Sequence, residues 1–163
     1  MAKFDIVRRM PYSARQLFDL TSDIANYPEF VPLCTEARIW NENDDGTGIT
    51  ACTASLRIIY DKLKMDIEFV SEVLANAEDM TIRAVSNSGP VKQLENRWRF
   101  VDLPETGQCD VEFSIEYEMS RRTMQFVMSS MFEHATRKMM AAFECRAHEL
   151  YGPSGQQAAR QNL

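Results

Sequence analysis

A change of period constrains this chain more than any single motif. Two stretches, "KLKMDIEFVSEV" (62–73) and "CDVEFSIEYEM" (109–119), alternate apolar and charged residues, and from 121 to 150 the apolar residues recur with helical spacing instead. The first stretch sets Leu63, Met65, Ile67, Phe69 and Val73 against Lys64, Asp66, Glu68 and Glu72. The second sets Cys109, Val111, Phe113, Ile115, Tyr117 and Met119 against Asp110, Glu112, Glu116 and Glu118. Strands of this kind belong in an antiparallel sheet with one face on a core and the other in water. In the helical segment Met124, Val127, Met128, Met131, Phe132, Ala135, Met139, Ala142 and Phe143 form one long stripe. A one-faced sheet followed by a one-striped helix predicts an α+β fold: a strongly curved sheet whose apolar face wraps the helix and leaves a space beneath it.

The remaining elements follow from local signals. Phe4, Ile6 and Met10 give a first strand over 3–10, ending at Pro11. Ser13 is placed as an N-cap with Gln16 at the capping-box position, and Leu17, Phe18, Leu20, Thr21 and Ile24 carry a helix to the break at Tyr27-Pro28. Pro28 opens one more short turn, and Pro32 pushes Val31 out of helical geometry. Further strands are expected over 38–43, 48–60, 80–86 and 94–102, separated by "NDDGTG", "ANAED", "NSGP" and "LPETG" turns. The total is about seven strands, with two short helices after the first. In the last hairpin, a shared inner face predicts Trp98 opposite Phe113, Phe100 opposite Val111 and Arg99 opposite Glu112. Residues 1–151 read as one domain, and the tail 152–163, "GPSGQQAARQNL", offers too little to bury and is expected to be disordered.

Composition narrows the function. With 163 residues, 45% of them hydrophobic, the chain can bury a sizeable core. A formal charge of -6 works against holding RNA, DNA or an anionic bilayer by bulk electrostatics, although local basic patches remain open. Cys34, Cys52, Cys109 and Cys145 form no CxxC pair, and His134 and His148 fall at no zinc-ligand spacing, so no metal site is expected and the thiols read as reduced, in a cytoplasmic compartment. No stretch approaches the roughly 20 apolar residues of a membrane span, which leaves a soluble protein, at most peripheral to a membrane. There is no Gly-rich phosphate loop, nucleophile elbow or metal cluster. The carboxylates fall on the outward parity of strands, so no catalytic residue is expected.

Three features point to an apolar ligand instead. The connection "IANYPEFVPLC" (24–34) crowds Tyr27, Phe30, Val31 and Leu33 around two prolines, as a lid over a cavity or as a plug that closes the core. Methionines Met124, Met128, Met131 and Met139 on the helical stripe suit a wall that repacks around a variable ligand, or an ordinary core face. In "GPVKQLENRWRF" (89–100), Asn96 is an amide on an inner face otherwise made of Leu94, Trp98 and Phe100; it must bond within the protein, or face the polar part of a ligand or an ordered water.

The "YPEFVPLC" turn followed by "GPVKQLENRWRF" resembles the coenzyme Q-binding START-domain family, of the polyketide cyclase/dehydrase-like superfamily, and its close relative, the bacterial ribosome-association toxin family RatA. The resemblance covers residue 1 to about Tyr151. It implies a helix-grip fold with a seven-stranded sheet, a cavity for a hydrophobic lipid such as ubiquinone or a polyprenyl precursor, no catalysis and no catalytic cofactor. The ligand-binding set expected on this basis is Tyr27, Phe30, Val31, Leu33, Asn96, Trp98, Phe100, Val111, Phe113, Met124, Val127, Met128, Met131 and Phe132. The functional expectation is support of respiratory quinone biosynthesis or delivery, with peripheral contact to the inner membrane. The alternative is a toxin that binds the large ribosomal subunit and blocks subunit association, where Arg121, Arg122, Arg137 and Lys138 would have to overcome the net negative charge.

Overall fold

The computed structural model describes residues 1–153, so the tail expected to be disordered lies outside the described residues from residue 154 onward. Strand β1 (Ala2–Met10) leads into helix α1 (Ala14–Ser22) and a 3-10 turn, Ile24–Glu29. Then come β2 (Cys34–Asp44), β3 (Ile49–Tyr60), a second 3-10 turn at Asp61–Leu63, β4 (Met65–Asn76), β5 (Thr81–Ser86), β6 (Val91–Leu103) and β7 (Gln108–Met119). Helix α2 (Arg122–Tyr151) closes the fold.

The expected capping box is formed: Ser13 Oγ accepts from the Gln16 backbone N–H, and Gln16 Oε1 accepts from the Ser13 N–H. All strands join one antiparallel sheet in the order β1-β7-β6-β5-β4-β3-β2. The β6–β7 register places Trp98 opposite Phe113, Phe100 opposite Val111 and Arg99 opposite Glu112, as the shared inner face requires. Because the side-chain period is two, this pairing also sends Asn96 inward beside Ile115.

Two local expectations change. Leu63 does not begin the inner face of β4: it lies in the 3-10 turn, 44% exposed, and Lys64 at φ 50° reverses the chain before Met65 starts the strand. The turn takes Leu63 out of the strand, while the alternation holds from Met65 onward, with Met65, Ile67 and Val73 buried. Strand β2 begins at Cys34 rather than at 38, since Leu33, at φ 69°, turns the chain directly out of the proline segment.

Helix α2 lies on the concave face, and its burial is uneven. Toward its C-terminal half Met140, Phe143 and Ala147 are essentially enclosed, whereas Met124, Met131 and Phe132 are only partly buried. The outer face carries a lattice of ion pairs instead, in which Arg57 meets Asp66 at 2.7 Å and Glu36 at 3.5 Å. Thr53 and Ser55, also outward, are sealed beneath Glu72 and Glu68, to whose carboxylates they donate.

Candidate functional site

The less tightly packed part of α2 overlies a cavity of about 250 Å³. From the helix, Met128, Met131, Phe132, Ala135, Thr136 and Met139 face it. From β6 and β7 come Leu94, Asn96, Trp98, Phe113 and Ile115. The β3–β4 arm supplies Ala54, Leu56, Ile58, Met65, Phe69, Ser71 and Val73, and β5 adds Ile82 and Ala84. Ile24, Tyr27, Val31, Pro32 and Leu33 complete the wall from the proline segment.

Of the expected ligand-binding residues, Tyr27, Val31, Leu33, Asn96, Trp98, Phe113, Met128, Met131 and Phe132 are thus brought together around one space. Phe30, Phe100, Val111, Met124 and Val127 are not among its walls. Phe30 turns away into an aromatic cluster, 5.0 Å from Phe143 and 5.8 Å from Tyr27, with the Arg146 guanidinium 5.5 Å from its ring. The proline segment is therefore divided: Phe30 plugs the core, while Tyr27, Val31 and Leu33 line the cavity. Phe100 packs edge-on against Phe18 at 6.2 Å, beneath α1, and Val111 is enclosed opposite it. Met124 lies one turn before Met128, the first helix residue in the wall, and Val127, half-buried beside Met128, is not part of the lining.

Sequence reasoning missed the contribution of β3–β4 and of Thr136. The inner parity of β4 was legible, but nothing in its pattern said that Met65 and Phe69 would reach the same space as Trp98. Thr136 sits i+4 from Phe132 and i−4 from Met140, which places it on the apolar stripe; that spacing was the available signal.

The cavity is chemically quiet. Among the described residues its walls carry no carboxylate, imidazole, amine or thiol. The Tyr27 hydroxyl donates to the Thr21 carbonyl, and burial drives its pKa well above the ordinary tyrosine range. Asn96 makes an internal bond, its Nδ2 donating to the Ser114 carbonyl at 3.2 Å. Among the described residues no group of three or more His, Cys, Asp or Glu side chains is arranged to hold a metal ion.

The family described as polyketide cyclase / dehydrase and lipid transport matches residues 10–144. Among curated proteins, the chain is similar to the ribosome association toxin RatA of Rickettsia prowazekii, at 32% identity over 92% of this chain and 99% of the relative. It is similar also to the mitochondrial coenzyme Q-binding protein COQ10 homolog B of Xenopus laevis, at 27% identity over 86% of this chain and 56% of the relative. Among solved structures, an 18 kDa protein from Caulobacter crescentus superposes with a TM-score of 0.77 at 31% identity, covering 93% of this chain and 99% of that one. A START superfamily protein from Mycobacterium smegmatis gives 0.77 at 16% identity, covering 91% and 98%, a likeness of fold alone.

Proposed function

The chain belongs to the polyketide cyclase/dehydrase and lipid transport family, and from that premise we propose that it is a non-catalytic binding protein for a hydrophobic lipid carrying a small ring, ubiquinone or a polyprenyl quinone precursor. The observation that carries this reading is the cavity itself. Its walls are almost wholly aliphatic, aromatic and thioether, so the free energy of binding comes from apolar burial at about 25 cal/mol per Å². Catalysis on this fold would need an acid or base within reach of a bound substrate, and the lining supplies none among the described residues. The name of the more distant relative, a coenzyme Q-binding protein, supports the choice of ring.

Size sets a further condition. About 250 Å³ falls below the roughly 300–1,000 Å³ usual for ligand pockets, so the space takes a ring and a short stem. A long polyprenyl chain has to leave the cavity or be admitted by repacking of Met128, Met131 and Met139, which methionine's flexible side chain permits at low cost. Native mass spectrometry of the purified protein tests the reading: a quinone or prenylated phenol should co-purify, and a protein that carries no lipid and takes none up from added vesicles contradicts it.

A second reading has its own support. RatA of Rickettsia prowazekii, a protein named for ribosome association, is similar along nearly its whole length. Of the cations suggested for an RNA contact, Arg137 is engaged by Glu133 at 3.2 Å, while Arg121, Arg122 and Lys138 are exposed and meet no carboxylate among the described residues. Sedimentation with isolated ribosomal subunits separates the two: binding to the large subunit, abolished by Arg121→Glu/Arg122→Glu, together with an empty cavity, would favour the ribosomal reading.

A further inference from the structure

The polar groups inside the cavity are few, and their hydrogen-bonding capacity is left open in a consistent way. Thr136 is 3% exposed and faces the cavity from mid-helix, yet among the described residues its hydroxyl neither donates nor accepts. Trp98, 5% exposed and also in the wall, has an indole N–H that meets no described acceptor. Asn96 spends an Nδ2 hydrogen on the Ser114 carbonyl, which fixes the orientation of the amide, and no described donor meets its Oδ1. Buried polar groups are normally paired, and along this apolar space Thr136, Trp98, the partly buried Asn96 and Ser71 on β4 keep hydrogen-bonding capacity open to a ligand.

Their relative positions follow from the ring contacts. Phe132 stacks on Tyr117 at 5.1 Å, and Tyr117 pairs with Leu94. Phe143 rests on Trp98 at 5.2 Å. Along β6, Asn96 lies midway between Leu94 and Trp98; along α2, Thr136 lies between Phe132 and Phe143 on the cavity side. By this spacing Asn96 and Thr136 fall at about the same level of the cavity, with Trp98 one step nearer Phe143 on the same strand face.

We propose that Asn96, Thr136 and Trp98 form a polar clamp for a phenolic hydroxyl, so that the cavity selects a phenol or hydroquinone ring over a quinone ring of the same shape. The inference rests on the reading of the cavity as an apolar-ligand site and adds the chemistry of the head group. A phenolic O–H donates to Asn96 Oδ1 and at the same oxygen accepts from the Thr136 hydroxyl or the Trp98 indole. A quinone carbonyl only accepts. It satisfies Thr136 or Trp98 but leaves the Asn96 oxygen dry and unpaired, and an unsatisfied buried acceptor is what discriminates most strongly between otherwise similar ligands.

Calorimetric titration with 4-propylphenol and with its methyl ether, 4-propylanisole, tests the clamp without redox chemistry, because the two differ in the donor hydrogen and one methyl group. The expected result is a preference for the phenol of about tenfold or more, reduced to near parity in Asn96→Leu. Thr136→Val, which keeps the side-chain shape, should weaken both ligands, because the ether oxygen also accepts from that hydroxyl; Asn96→Ala serves if Asn96→Leu does not fold. Equal affinities for the two ligands in the wild type, or a preference that persists when Asn96 is replaced, would overturn the clamp while leaving the apolar-ligand reading in place. If neither ligand binds, the cavity reading falls and the clamp with it.

Discussion

Phe30 and Trp98 both rest on the ring of Phe143, at 5.0 and 5.2 Å, but only Trp98 also faces the cavity. Phe30→Ala should therefore cost about 2–3 kcal/mol, below the usual range for a fully buried phenylalanine because Phe30 is only partly buried. Ligand affinity of the folded fraction should stay unchanged, as melting and titration on one preparation would show. Trp98→Ala should cost about 3–5 kcal/mol and weaken ligand binding as well. The thiols give a second test at this scale. Burial pushes Cys34 up to about 11 and Cys109 up to about 12, while Cys145 is exposed. A thiol that ionises near 8.5 when unfolded but only at these higher values when folded binds more protons in the native state between the two. Stability is thus complete below about pH 8.5 and declines as pH rises toward 11 and 12. Melting temperature should be flat from pH 7 to about 8.5 and then fall, and iodoacetamide at pH 8 should modify Cys145 but spare Cys34 and Cys109; rapid labelling of Cys109 in the native protein would contradict the packing described.

The elements were largely legible because each announces its period: alternation in β4 and β7, helical spacing in α2, and the Ser13–Gln16 capping box at the start of α1. Parity extended even to the β6–β7 register, since a slip of one residue would have put Trp98 and Phe100 in water. What failed at this scale were reversals. Leu63 looked like a strand residue because the alternation continues through it, and the left-handed turn at Lys64 has no apolar signature. For Phe30 the sequence left lid and plug open, because composition shows that the segment is apolar but not which way each ring turns. The same hairpin supplies a paired test. Trp98 packs at 4.8 Å on Phe113, whereas Arg99 and Glu112 stand 3.9 Å apart and largely in solvent. Arg99→Ala should leave melting unchanged, since exposed ion pairs contribute little, while Trp98→Ala should lower it sharply.

At the scale of the whole molecule, the site could be read only in part, because it is assembled from elements distant in sequence. The stripe on α2 was visible, but the stripe does not say where the helix lifts from the sheet. Met140 and Phe143 close the core, and Met128 to Met139 roof the cavity. Val127 was expected beside Met131 on the ligand wall; the structure leaves it outside. That difference allows the central claim, that an apolar ring ligand binds beneath α2, to be tested directly. Trp98 is in the wall and Trp40 is on β2, so a Trp40→Phe background reports on the cavity alone. Titration of its fluorescence with a short-chain ubiquinol analogue should give saturable quenching, lost in Met131→Glu, where a carboxylate would have to be desolvated, and retained in Val127→Glu. Saturable quenching that survives unchanged in a folded Met131→Glu protein, or no quenching in the parent, would contradict the account.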